Sequence, residues 1–228
     1  MLQAVFFDFD GVIADSEPLH LRAFQAVLES DGIGLSRDEY YARYLGYDDA
    51  GLFRALATDR GIAVGTATID NWVASKSRIV ETMLSDGSIL FPGASACVTL
   101  FAERVPVAVA SGALEPEIRM VLSHAGIEDR FLAIASASDG VPGKPAPDLY
   151  LLAIAKLRDR ITLDPAFCIA IEDSRWGLES ARKAGLRCVA VTHTYAATDL
   201  EGSADLVVDR LSDLTFPVIE EVIRHQSD

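Results

Sequence analysis

The strongest constraint on the fold is the stretch Val5-Phe6-Phe7-Asp8-Phe9-Asp10-Gly11-Val12-Ile13-Ala14-Asp15-Ser16. An apolar run stops on Asp8, resumes at Phe9, meets a second carboxylate at Asp10 and is followed at once by glycine. Such a run reads as a strand buried on both faces, which requires covering layers on each side. Two carboxylates two residues apart at its C-terminal end lean to the same side. Like charges that close are costly unless a cation or a shared proton separates them. The C-terminal edge of a parallel sheet is also where open α/β folds bind ligands. The stretch therefore reads as a metal-assisted active site. Alone, the Asp10-Gly11 pair would read equally well as a turn after a strand.

From Asp15 to about Gly87 the pattern becomes helical. Leu19, Ala23, Ala26, Val27 and Leu28 recur at helical spacing up to Gly32-Ile33-Gly34. Ser36 is placed to cap a second helix, with Glu39 three residues on, and Gly46 ends it. Leu52, Phe53, Leu56 and Ala57 form a third apolar stripe, and a fourth helix runs from about Ala67 to Leu84. Residues 15–87 are thus expected to form a small four-helix insert. The flanking segments 1–14 and 88–228 are expected to form one core. After Pro92-Gly93 the apolar runs Val105–Ala110, Phe131–Ala135, Phe167–Ile171, Arg187–Val191 and Asp205–Val208 alternate with helical segments. Strands alternating with helices mean right-handed βαβ units, hence an α/β fold with a doubly wound parallel sheet.

The balance of 20 Lys+Arg against 34 Asp+Glu leaves a formal charge of −14, which argues against nucleic acid and anionic membranes as partners. It does not forbid an anionic substrate, because a metal and local cations can reverse the field inside one cleft. Cys97, Cys168 and Cys188 lie far apart in apolar surroundings and read as buried free thiols. No basic leader precedes the first strand, and no apolar stretch approaches the ~20 residues of a membrane helix. A soluble cytoplasmic protein is the expectation.

Three long apolar strands end in polar chemistry: Asp8 and Asp10, Ser111 and Gly112, Glu172 and Asp173. A fourth polar element, Lys144, sits in a Pro/Gly-rich loop that holds its amine with little entropy to lose. In a parallel sheet these ends share one edge. Together they offer carboxylates for one Mg²⁺, a hydroxyl and an N–H for phosphate oxygens, and a fixed positive charge. Oxygen ligands without His or Cys suit Mg²⁺ better than zinc. This is equipment for phosphoryl transfer.

Asp8-Phe9-Asp10-Gly11-Val12-Ile13, Ala110-Ser111-Gly112, Gly143-Lys144-Pro145-Ala146-Pro147-Asp148 and Ile171-Glu172-Asp173-Ser174 resemble, in order, the four motifs of the haloacid dehalogenase-like superfamily. The insert is similar to the helical cap of its β-phosphoglucomutase-like branch. The resemblance implies that Asp8 attacks phosphorus and becomes an aspartyl-phosphate. Asp10 would protonate the leaving oxygen and then deprotonate water. Ser111 and the Gly112 N–H would hold phosphate oxygens, and Lys144 would offset charge on Asp8 and the phosphoryl group. Asp8, the Asp10 carbonyl and Asp173 would hold Mg²⁺, with Glu172 either a ligand or an outer partner. Ser111 is also placed to cap the following helix.

In the insert, Ser16 and His20 share a helix face and can point at the leaving group; the plain alternative is a helix cap and a solvated histidine. Lys76 is a further cap candidate, although an isolated helical lysine is usually wet. Asp15 and residues 85–88 mark the two crossings between core and insert. An acid/base at Asp10 favours phosphate esters over dehalogenation. The absence of lysine in Arg43-Tyr44-Leu45-Gly46-Tyr47-Asp48-Asp49 disfavours phosphonoacetaldehyde hydrolysis. Asp48 and Asp49 stand where the mutases carry basic residues, and would repel a second phosphate. The expected function is a Mg²⁺-dependent phosphatase for a small phosphorylated sugar, polyol or similar metabolite. A β-phosphoglucomutase-type mutase, which His20 and Lys76 keep open, and a catalytically inactive binding domain are the alternatives. Oligomeric state is not legible.

Overall fold

The computed structural model describes residues 1–45, 47–85 and 89–224. The expected breaker Gly46, the linker positions 86–88 and the frayed end at 225–228 lie outside the described residues. The chain divides into two compact units, one of Met1–Asp15 with Ser88–Asp228, the other Ser16–Gly87.

The first unit is built on six parallel strands: β1 (Ala4–Phe7), β2 (Val107–Ala110), β3 (Phe131–Ala135), β4 (Cys168–Glu172), β5 (Arg187–Val191) and β6 (Leu206–Val208). Their spatial order is β3-β2-β1-β4-β5-β6, the doubly wound arrangement. That order reverses direction at β1, so its C-terminal end is the switch point where such sheets open a crevice. The register sharpens this: Phe7 is paired with Val109 on one side and Ile171 on the other. One step further along, Asp8 is abreast of Glu172, with Ser111 and Asp173 a residue beyond.

Alternation along the strands sorts the two faces. Phe6, Ala108, Ala110 and Ala170 pack with Tyr150, Ile154 and Leu157 of α7 (Asp148–Arg158) and with Leu178 and Ala181 of α8 (Arg175–Lys183). Alanines on the strands let these two helices approach closely. On the opposite face Phe7 meets Phe101 of α5 (Ala94–Ala102), which in turn packs on Phe216 of α10 (Phe216–Arg224). Helix α10 is absent from the sequence expectation, which ended at a last strand. Its Phe216, Ile219, Val222 and Ile223 form an apolar stripe, and Pro217 is tolerated in its first turn, where an N–H would be unpaired anyway. The strand expected from Val105 begins at Val107, because Pro106 has no N–H to enter the ladder and offers only its carbonyl, to Val5 N at 3.0 Å.

The second unit is helical: α1 (Glu17–Glu29), α2 (Arg37–Glu39), α3 (Asp49–Asp59) and α4 (Thr66–Ser85). Phe24, Tyr40, Tyr44, Phe53 and Trp72 share its core. The expected second helix is one turn that widens into a π-turn over Tyr40–Tyr44. Ser36 Oγ caps it by accepting from Glu39 N at 3.2 Å. The Glu39 carboxylate, rather than closing a capping box, accepts from Arg60 at 2.6 Å. All three cysteines are free and buried, and burial pushes their thiols up to about 12. Among the described residues no helix is long and apolar enough to cross a membrane.

Candidate active site

Asp8 follows directly on β1, and its N–H donates to Ile171 O at 2.9 Å, which extends the β1–β4 ladder to the carboxylate itself. Its side chain is held on one oxygen: Phe9 N donates to Oδ1 at 2.7 Å, and Lys144 Nζ lies 2.8 Å from the same atom. Among the described residues, Oδ2 carries no such contact. One carboxylate oxygen is therefore restrained while the other is left for chemistry.

Lys144 bridges two acids. Its Nζ reaches Glu172 Oε1 at 2.6 Å as well as Asp8, and its peptide bond to Pro145 is cis. Burial opposes the ammonium, but Asp8 and Glu172 outweigh it and hold the Lys144 pKa above the ordinary lysine value. Glu172, with no exposed surface, also accepts from Tyr150 Oη at 2.7 Å on Oε1 and from Asp173 N at 3.3 Å on Oε2. Burial, then the Glu172 charge, keeps the Tyr150 phenol protonated and able to donate. Glu172 is thus engaged on both oxygens and anchors Lys144.

Oxygens of Asp8, Glu172 and Asp173 lie within 4.8 Å of one another, and all three residues are buried. Burial, then the charge of Asp8, raises the pKa of both Glu172 and Asp173. Three buried carboxylates facing one ammonium leave a deficit of positive charge, and a divalent cation with oxygen preference fits it. Two glycines make room for the acids. A side chain at Gly11, which has φ +77°, would overlap the Asp173 carboxylate, and one at Gly177 in α8 would overlap that of Glu172. Asp10 follows two residues after Asp8 and is partly buried.

Ser111 is fully buried, and its Oγ accepts from Ala113 N at 3.0 Å. It does not cap the next helix, as the sequence suggested. The N-cap of α6 (Glu115–His124) is Leu114, three residues on, because the chain first makes a tight Ser-Gly-Ala turn. Gly112 is exposed, with open space where a side chain would stand.

In the helical unit, Ser16 is buried and occupies the N-cap of α1 without a side-chain capping bond. His20 is not a solvated histidine. Its Nδ1 is shut from solvent without a hydrogen-bond partner, and burial, aided by the Lys76 charge, presses its pKa down to about 3. Lys76 is not wet either: it is 4 % exposed, its Nζ donates to Asp49 Oδ1 at 2.8 Å and sits 5.0 Å from the centroid of the Phe24 ring. Asp48 caps α3 by accepting from Gly51 N at 2.6 Å. Both acids taken from the sequence as a repulsive pair therefore have local partners.

Tyr150, Gly177, His193 and Thr194 belong to the site and were not singled out from sequence. A tyrosine inside an apolar helix carries no mark of its buried phenol, and Gly177 only the faint signal of a glycine within a helical pattern.

The family model for haloacid dehalogenase-like hydrolases matches residues 2–185. The chain belongs to that family. Protein CbbY of Cupriavidus necator is 32% identical over 243 residues, covering 97% of this chain and 90% of the relative. Hexitol phosphatase B of Escherichia coli K12 is 31% identical over 228 residues, 93% of this chain and 94% of the relative. The crystal structure of CbbY from Rhodobacter sphaeroides in complex with phosphate superposes with a TM-score of 0.83 at 26% identity, covering 96% of this chain and all of that one. This haloacid dehalogenase-like chain thus shares fold and length with family members that include a sugar-alcohol phosphatase and a protein captured with phosphate.

Proposed function

We propose that this chain is a Mg²⁺-dependent phosphatase for a small phosphorylated sugar or polyol, working through an aspartyl-phosphate. The observation that carries the reading is Lys144 bridging Asp8 and Glu172 beside Asp173, a set with one restrained nucleophile, one fixed cation and unmet negative charge. Asp8 Oδ2 attacks phosphorus, Lys144 offsets the charge, and Ser111 Oγ with the Gly112 N–H holds phosphoryl oxygens. Asp10 gives its proton to the departing alkoxide and then takes one from the water that cleaves the acyl-phosphate. Asp8, the Asp10 carbonyl and Asp173 would hold Mg²⁺, which supplies charge neutralisation and orientation for in-line transfer. Glu172 serves as the partner of Lys144. The helical unit acts as the cap that excludes water and selects substrate.

A monophosphate is preferred over a bisphosphate because, among the described residues of the helical unit, the buried cation Lys76 is already neutralised by Asp49. The named activities of the relatives, hexitol phosphatase among them, support a small phosphorylated polyol or sugar. The test is a panel of sugar, polyol and other phosphomonoesters with Mg²⁺, β-glucose 1-phosphate included, with Asp8→Asn as control. Phosphate release on at least one substrate, lost in the control and on chelation, is expected. Release from none would sink the reading, and conversion of β-glucose 1-phosphate to the 6-phosphate would replace it with a mutase.

A further inference from the structure

Gly11 is placed under opposing demands. The Asp173 carboxylate and Thr194 Oγ1 fill the space a side chain would need, so only glycine fits there. Glycine, however, has the greatest backbone freedom of any residue, and this one directly follows Asp10. A turn built that way is loose unless something outside it holds the peptides on either side.

Two contacts do so. The Gly11 N–H donates to Ala14 O at 2.9 Å, and the Gly11 carbonyl meets His193 Nδ1 at 3.0 Å. A carbonyl oxygen only accepts, so Nδ1 carries the proton. The imidazole is itself fixed, stacked on Phe91 with ring centroids 3.9 Å apart and planes at 20°. Phe91 N in turn donates to Ile13 O at 2.9 Å, beside a bridge between Ala14 and Leu90. The next residue in the chain, Thr194, gives its hydroxyl to the Asp173 carboxylate. Adjacent residues of the loop after β5 therefore grip the two arms of the site, one through backbone and one through a side chain.

We propose that His193 is a positioning residue for phosphoryl transfer: by holding the Gly11 carbonyl it fixes the dihedrals of Gly11 and hence the direction of the Asp10 carbonyl, while Thr194 orients Asp173. The inference rests on the metal-dependent reading of the site given above. Neither is assigned a contact with substrate. Both act through groups that would hold the ion, where removal of such a partner costs about 10- to 100-fold in metal affinity or activity.

The test uses the full-length chain with His193→Phe, which keeps the stack and removes the donor, and His193→Asn, which keeps a donor at the Nδ1 position. Thr194→Val is a separate, nearly isosteric variant. Mg²⁺ binding is measured by calorimetry, kinetics on the best phosphomonoester follow, and circular dichroism checks folding. His193→Phe and Thr194→Val are expected to bind Mg²⁺ about 10-fold more weakly and to lose kcat by a similar factor, with KM changed by less than about two-fold. His193→Asn should recover most of the Mg²⁺ affinity. Wild-type affinity in His193→Phe, or an equal loss in His193→Asn, would overturn the inference while leaving the phosphatase reading intact. A wild-type chain without Mg²⁺ affinity would overturn both. Should His193→Phe fail to fold, Thr194→Val carries the decision, and unchanged Mg²⁺ binding there overturns the paired-grip inference.

Discussion

Lys144 Nζ and Glu172 Oε1 are joined by a 2.6 Å hydrogen bond at the point where β4 ends, and the same ammonium holds Asp8. The position of the lysine is thus set by an acid with no exposed surface. Lys144→Met would strand Asp8 and Glu172 together. Breaking a buried pair in this way costs about 3–5 kcal/mol. We expect a large fall in thermal stability and a loss of about 10²–10³ in kcat. Glu172→Gln keeps acceptor capacity for Lys144 and Tyr150 and should lose far less of both. Equal losses in calorimetry and in steady-state assays would contradict the anchoring role.

Gly177 inverts a general expectation. Replacing a glycine inside a helix by alanine ordinarily gains about 1 kcal/mol. Here the new methyl would overlap the Glu172 carboxylate, which is pinned by Lys144 and Tyr150. Gly177→Ala is expected to lower the melting temperature and reduce activity at least about 10-fold. A variant as stable and active as the parent would show that the carboxylate can move aside.

The Lys76–Asp49 pair is unequally buried, with side chains 5% and 30% exposed. Removing the acid strands an ammonium with little access to water, whereas removing the lysine leaves an acid that reaches solvent. Asp49→Asn should therefore destabilise the chain by about 2 kcal/mol or more, and Lys76→Met by clearly less. Urea unfolding of both variants decides it; the reverse order would refute the burial argument.

His20 makes stability depend on pH. Burial holds its folded-state pKa at about 3, against about 6.5 for an unperturbed histidine. Below pH 6.5 the unfolded chain takes up a proton that the folded chain refuses, so stability is lost as pH falls from 6.5 towards 3. The slope approaches ~1.4 kcal/mol per pH unit. His20→Gln removes this contribution. Between pH 7 and pH 5 the parent should lose about 1–2 kcal/mol more than the variant in urea unfolding, and equal losses would show that His20 titrates normally.

Much of the candidate site was legible because its polar groups are concentrated at strand ends. Asp8, Ser111, Glu172 and Asp173 each terminate or directly follow an apolar run, and a parallel sheet brings such ends to one edge. Lys144 was marked by its Pro/Gly-rich loop. Helix α10 and the π-turn at Tyr40–Tyr44 were not legible: both use ordinary amphipathic residues whose geometry is settled by packing. Lys76 and His20 read from sequence either as cap residues facing substrate or as solvated ones, and the buried setting of Lys76 depends on Phe24 and Asp49, far from it in the chain.

Taken alone, the sequence determined the strand–helix alternation, the parallel sheet that follows from it, and the identity of the acids and lysine at its edge. Those properties are local, being set by hydrophobic period and by where each run stops. Only the tertiary structure decided that Lys144 meets Asp8, that Glu172 anchors Lys144, that Asp49 neutralises Lys76, that His193 meets the Gly11 carbonyl, and that Thr194 bonds the Asp173 carboxylate. Each of these is a contact between residues far apart in the chain. Such contacts depend on strand register and helix packing, which no single segment encodes.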